Sequence, residues 1–154
     1  MSWVERVARS IRGLDQSTRC HVFTSASRIF FSGLAQGLQA RHAHDGSTVT
    51  PADWAHAAQF ALNRFCSYTR ARPPSRTLVD PLTIFVAHIT PGEDFQKAVK
   101  AAGDAALATK DIEAKAGRSA YVEGARLKEQ QVPDPGAWGV KVILENLAVY
   151  NSVL

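Results

Sequence analysis

The residues whose types and spacing could do chemistry gather in the stretch 109–139, TKDIEAKAGRSAYVEGARLKEQQVPDPGAWG. Its pattern predicts a long helix closing at Gly117, Arg118 in an irregular loop, and a fresh helix opening at Asp134-Pro135-Gly136. Asp134 suits an N-cap and Pro135 a first helical residue, where the N–H that proline lacks would be orphaned anyway. Gly136 has no Cβ, so a ligand can come close to its backbone. Exposed N–H groups and the helix dipole at such a start favour an anion. Arg118 could add a charge-assisted hydrogen bond of about 1.5–3 kcal/mol. The implied chemistry is the holding of a phosphate. Asp-Pro-Gly by itself more often marks a well-capped surface helix.

Other reactive side chains form no comparable group. Asp15, Asp45, Asp53 and Asp80 are scattered, and no pair of them shares a loop fit for a metal ion. His42 and His44 make an HxH pair without a further ligand nearby, which reads as a polar loop rather than half a metal site. Cys20 and Cys66 stand far apart outside any CxxC pattern, so free thiols and a cytoplasmic setting are expected. Arg64, Arg70, Arg72 and Arg76 form a basic cluster on a chain of net charge +4. With no aromatic or base-reading motif beside them, they read as a solvated helix end, and no nucleic-acid partner is expected.

The elements that must position these residues are helical. Alanine is abundant, β-branched runs are short, and glycine and proline mark off segments of helical length. No apolar run reaches membrane-spanning length and no signal peptide is visible, so no membrane partner is expected. Six helices are predicted. The first covers about residues 2–12, with Val4, Val7, Ala8 and Ile11 as its apolar stripe. The second centres on RIFFSGLAQGLQA, where Phe30, Leu34 and Leu38 share a face and Gly33 and Gly37 admit a close neighbour. Thr50-Pro51-Ala52-Asp53 opens the third, striped by Trp54, Ala58, Ala61, Leu62 and Phe65 and broken by RARPPSR.

The fourth carries Leu78, Leu82, Phe85, Val86 and Ile89, with Asp80 as its expected cap before Pro81. Thr90 and Glu93 have capping-box spacing and are expected to start the fifth and longest helix, with Phe95, Val99, Ala102, Ala106 and Thr109 on one face. The sixth starts at Asp134 and carries Val140, Ile143, Leu144 and Leu147. The product is one all-α domain over residues 1–154, an antiparallel bundle whose one longer loop lies between Gly117 and Pro133.

The run TKDIEAKAGRSAYVEGARL followed by PDPGAWG resembles the nucleotide-binding L-type domain of dihydroxyacetone (glycerone) kinases, especially the single-chain fungal enzymes. IFFSGLAQGL at 29–38 and ARPPSRTLVDPL at 71–82 agree with it in the same order, so the likeness covers about residues 29–147, with 1–28 divergent. The resemblance implies an incomplete version of an eight-helix barrel that binds ATP among the loops at one end. It implies that Arg118 lies near the nucleotide phosphates, that Asp134, Pro135 and Gly136 contact the nucleotide, and that Thr77 and Leu78 border the adenine. Core packing explains Leu78 equally well.

Two departures limit the likeness. The family holds Mg²⁺ with clustered aspartates in a Gly-Asp-Gly-Asp-Cys-Gly type loop, and those ligands are missing here. The family's Gly-Gly-Thr-Ser-Gly loop is replaced by CHVFTSASR, in which Thr24 and Ser25 would be its remnant. A domain for dihydroxyacetone, which the family binds through a histidine, does not fit in this length. The expected function is therefore ATP-dependent phosphorylation of dihydroxyacetone, with ATP/ADP as ligands. This chain would supply part of the nucleotide domain, inactive alone and working beside a dihydroxyacetone-binding domain or subunit. The alternatives are a non-catalytic helical interaction module derived from that domain, and an incomplete reading of a longer gene.

Overall fold

A computed structural model of the chain describes residues 21–42, 48–90, 92, 94–115 and 131–151. Those residues are all-α: helix α1 (His21–His42), α2 (Pro51–Tyr68), α3 (Val79–Ile89), α4 (Phe95–Ala108), a 3-10 turn at Thr109–Asp111, and α5 (Pro135–Asn151). The helix expected at residues 2–12 lies outside the described residues. α1 packs on α2, α3 on α4, and α4 on α5, while α3 also touches α2 and α5 and so joins the two groups.

The α1–α2 pair depends on two glycines. A Cβ built at Gly33 would stand 2.9 Å from the Ala61 Cα, and one at Gly37 would stand 2.9 Å from the Ala57 Cα. Ala57 and Ala61 are buried, so neither backbone has room to retreat. The expectation of close approach along this face is met. Gly33→Val should therefore cost about 1–3 kcal/mol, since the added atoms meet backbone rather than a movable side chain. Urea denaturation with an unchanged m value would register it.

Between the helices lies a core of Leu62, Leu82, Phe85, Val86, Val99 and Leu144, filled in by Ala58, Ala98, Ala102 and Ala148. Phe85 and Phe95 meet edge to face, ring centroids 5.7 Å apart, a favoured aromatic geometry. The α4 stripe explains the alanines: Ala98, Ala102 and Ala106 are fully buried, which lets α4 sit close to both α3 and α5.

Helix starts follow local chemistry where the sequence offers one clear cap. At α2 the Thr50 side chain accepts from the Asp53 amide, and the Asp53 carboxylate accepts from the Thr50 amide at 2.9 Å. Three boundaries differ from expectation. Thr90 does not start α4; its backbone is helical and its hydroxyl donates to the Val86 carbonyl at 2.7 Å, closing α3. Gly92 follows at φ 80, which ends the helix. The α4 cap is Asp94, whose carboxylate accepts from the Gln96 and Lys97 amides; Glu93 lies outside the described residues. α4 is not the longest helix, since it has 14 residues against 22 in α1, and it closes at Ala108 rather than Gly117.

The third difference concerns α3. Asp80 does not cap it from outside but is its second residue. Thr77 does the capping: its hydroxyl accepts from the Val79 amide at 3.2 Å, and Asp80 reaches back to the Thr77 amide at 2.7 Å. Pro81 is tolerated because first-turn amides need no intrahelical acceptor.

Candidate functional site

Three segments far apart in sequence meet at one end of the bundle: 75–80 before and within α3, 109–115 after α4, and 131–137 at the start of α5. Each is held by a buried polar residue. Asp80, 5% exposed, accepts from the Ser75 amide at 3.0 Å and the Thr77 amide at 2.7 Å, and the Ser75 hydroxyl approaches it at 3.3 Å. One carboxylate thereby shapes the turn that presents Thr77 and Leu78.

Arg76 joins that turn to the other two segments. It is 3% exposed and has φ 56, an uncommon backbone conformation for a residue with a Cβ. Its Nη1 donates to the Lys110 carbonyl at 3.1 Å and the Ile112 carbonyl at 3.2 Å, and its Nη2 to the Val132 carbonyl at 2.7 Å. Alongside, the Lys115 amide donates to the Ser75 carbonyl at 3.3 Å.

Thr109, fully buried, makes the third tie. Its hydroxyl donates to the Ala106 carbonyl at 2.6 Å and accepts from the Asp134 amide at 2.9 Å. Thr109→Val keeps the shape and removes both bonds, leaving the Asp134 amide buried without that acceptor. The expected cost is about 1–3 kcal/mol, read as a lower unfolding midpoint in urea.

Asp134 then caps α5 as the sequence predicts. Its Oδ1 accepts from the Ala137 amide at 2.9 Å, and its carbonyl accepts from the Trp138 amide at 2.9 Å. Pro135 has no N–H to offer, so Gly136 contributes the remaining amide of the first turn. A Cβ on Gly136 would stand 3.0 Å from Asp134 Oδ1 and 3.3 Å from Leu78 Cβ. Leu78 and the Asp-Pro-Gly helix start are therefore direct neighbours. Leu78 also packs against both apolar clusters of the bundle, so core packing and site lining coexist in one side chain.

Of the predicted site residues, the structure brings together Thr77, Leu78, Asp134, Pro135 and Gly136. Arg118 lies outside the described residues. Thr24 and Ser25 fall inside α1, so the segment read as the remnant of a glycine loop is helical instead. With its glycines replaced by residues of better helix propensity, the backbone continues the helix. Ser25 lines a shallow cleft of about 380 Å³ with Arg28, Ile29, Ser32, Arg64 and Tyr68. Ile29 and Ala26 of the same helix pack beside Leu78 on the cluster of Phe65, Ala71 and Val79, which places this half of α1 at the same end of the bundle.

The arginine cluster divides: Arg70 and Arg72 are exposed at the end of α2 as expected, and the departure is Arg76. Arg76 is buried, Arg64 donates to the Gln36 side chain, and Arg72 donates to the carbonyls of Cys66, Thr69 and Ala71. Arg72 thus caps the C-terminal end of α2, where a cation suits the helix dipole.

Sequence reasoning missed Arg76, Asp80 and Thr109 as the residues that build this end. The available signals were the Thr77-x-x-Asp80 capping spacing and a lone hydroxyl, Thr109, on an otherwise apolar stripe.

Carboxylates suited to a divalent cation are not assembled among the described residues. Asp53 is taken by its capping box and by Arg41, 2.9 Å from its Oδ1, and Asp80 by the turn it organises. These residues do not fit Mg²⁺. No described helix is long and apolar enough to cross a membrane.

Residues 26–149 match the family described as the DAK2 domain. The chain is 38% identical over 124 residues to "Dihydroxyacetone kinase" of Komagataella pastoris, covering 77% of this chain and 20% of that protein. It is 39% identical over 119 residues to "Dihydroxyacetone kinase 1" of Saccharomyces cerevisiae (77% and 20%), and 39% identical over 124 residues to human "Triokinase/FMN cyclase" (75% and 20%). The chain thus spans about one fifth of the length of these relatives. No solved structure matches it.

Proposed function

Because the chain belongs to the DAK2 domain family, we propose that segments 75–80, 109–115 and 131–137 form part of the ATP site of a dihydroxyacetone kinase. The observation that carries this reading is the contact between Leu78 and the α5 start at Gly136. An apolar side chain for a purine face and a capped helix N-terminus for phosphate are adjacent, as a nucleotide requires. Among the described residues the Gly136 amide is the first-turn donor left without an acceptor, so the phosphates need further donors, and Arg118 is the residue proposed to supply charge. Bound ATP supplies the transferable phosphoryl group. Leu78 and Thr77 border the base, while Asp134 orders the α5 start beside them.

The acceptor is proposed to be dihydroxyacetone, from the names of the relatives, in a cytoplasmic setting. Phosphoryl transfer needs a metal ion to bridge phosphate oxygens. The described carboxylates do not provide for one, so this chain alone is expected to bind nucleotide without turning it over. Calorimetric titration with ATP and a coupled assay with dihydroxyacetone and Mg²⁺ test both halves. Saturable heat without turnover is expected. Absence of saturable binding would remove the reading, and turnover would remove the claim of inactivity.

A non-catalytic interaction module is a second reading, favoured by the exposed apolar residues Trp138 and Val142 one turn apart on α5. Under that reading the chain elutes from size exclusion as an oligomer and shows no nucleotide heat.

A further inference from the structure

We propose that Arg76 is a positioning residue for the nucleotide site, a guanidinium clamp that sets the α5 start against Leu78. This rests on the ATP-site reading and adds to it the residue on which the site's geometry depends.

A buried arginine ordinarily pairs with a carboxylate, because an uncompensated charge is costly to desolvate. Among the described residues Arg76 has no such partner. Its two Nη atoms bond main-chain carbonyls there, those of Lys110, Ile112 and Val132, and its buried Nε has no hydrogen-bond partner among them. The carbonyls belong to two strands of irregular chain, one leaving α4 and one entering α5. Arg76 itself stands next to Thr77 and Leu78. One planar side chain therefore ties together the three segments that make the site, two residues before the Asp134 cap. Its φ of 56 aims it inward from a turn already held by Asp80.

Loss of the clamp should let residues 131–137 shift relative to Leu78 while the helical core stays packed. The residues whose carbonyls the guanidinium holds, Lys110, Ile112 and Val132, are not members of the apolar core, and Asp134 keeps its tie to Thr109. A purely structural arginine would instead loosen the whole bundle. Arg72 is the comparison: exposed where Arg76 is buried, it also donates to three carbonyls, but those of Cys66, Thr69 and Ala71, away from the α5 start.

The experiment compares Arg76→Met, Arg76→Lys and Arg72→Met in the full chain, by hydrogen exchange and by titration with ATP. For Arg76→Met, exchange at amides of 110–115 and 132–138 should accelerate about tenfold or more, with α2 and α4 core amides changed far less. ATP affinity should fall by a similar factor. Arg76→Lys keeps the charge and one carbonyl contact and should lie between; it also serves if the Met variant does not fold. Arg72→Met should leave both readouts at the parent level. Uniform acceleration across the core, or unchanged exchange in the two segments, overturns the proposal. Should the parent bind no ATP while the segments still loosen selectively, the clamp stands and the nucleotide reading falls.

Discussion

Asp80→Ala is expected to destabilise the domain by about 2–5 kcal/mol, more than any other single polar deletion at this end of the bundle. Its carboxylate accepts from two backbone amides, those of Ser75 and Thr77, and receives the Ser75 hydroxyl as well. Alanine leaves both amides without that acceptor in a turn where Ser75 and Arg76 are themselves buried. Each such loss is worth about 1–3 kcal/mol. Asp80→Asn retains one carbonyl oxygen and should recover part of the loss. Thr50 offers a comparison, since it is the exposed half of the α2 capping box and Thr50→Ala should cost about 1 kcal/mol. Urea titrations of the three variants give the order directly. Asp80→Ala within about 0.5 kcal/mol of the parent would mean that the turn is held by something else.

Gly136→Ala should lower ATP affinity about tenfold, or about 1.4 kcal/mol, with little change in stability. Stability is nearly neutral because two terms oppose. Alanine in place of helical glycine favours the helix by up to about 1 kcal/mol. Against that, the new methyl stands 3.0 Å from Asp134 Oδ1 and 3.3 Å from Leu78 Cβ, so both must give by tenths of an ångström. The same methyl would also crowd the backbone of Gly136, which the ATP-site reading has a phosphate oxygen approach. A melt within a few degrees of the parent together with a weakened titration supports the site. Unchanged affinity would place the ligand elsewhere.

The features legible in the sequence are those decided within a few residues. Thr50 with Asp53, and Asp134 with Ala137, are caps closed inside one turn, and both form as their spacing predicts. Gly33 and Gly37 recur at helical spacing on a face that needs small residues, and they meet Ala61 and Ala57. The misread boundaries are those decided by distant partners or by rival local signals. Thr90 had capping-box spacing, but Asp94 lies nearer the helix and its carboxylate takes two amides. Helix α4 ends early where carbonyls leave the helix for Arg76, a donor 34 and 36 residues away in sequence.

The candidate site divides in the same way. The family resemblance picked out Thr77, Leu78, Asp134, Pro135 and Gly136, and the fold brings those residues together. Arg76, Asp80 and Thr109, which make that meeting possible, are spread across the chain and carry no local pattern beyond Thr77-x-x-Asp80. The segment around Thr24 and Ser25 is helical although Val22, Phe23, Thr24 and Ser25 are only middling helix formers; it lacks the glycines, which would disfavour a helix more.

The most direct test of the central claim is a ¹⁵N amide map of the chain during titration with ATP in the presence of Mg²⁺. The account predicts saturable shifts at Thr77, Leu78, Gly136 and Ala137, with the α2 cap at Thr50 and the α4 cap at Asp94 unmoved. Saturable shifts centred on those two caps, or no saturation at millimolar ATP, would contradict it.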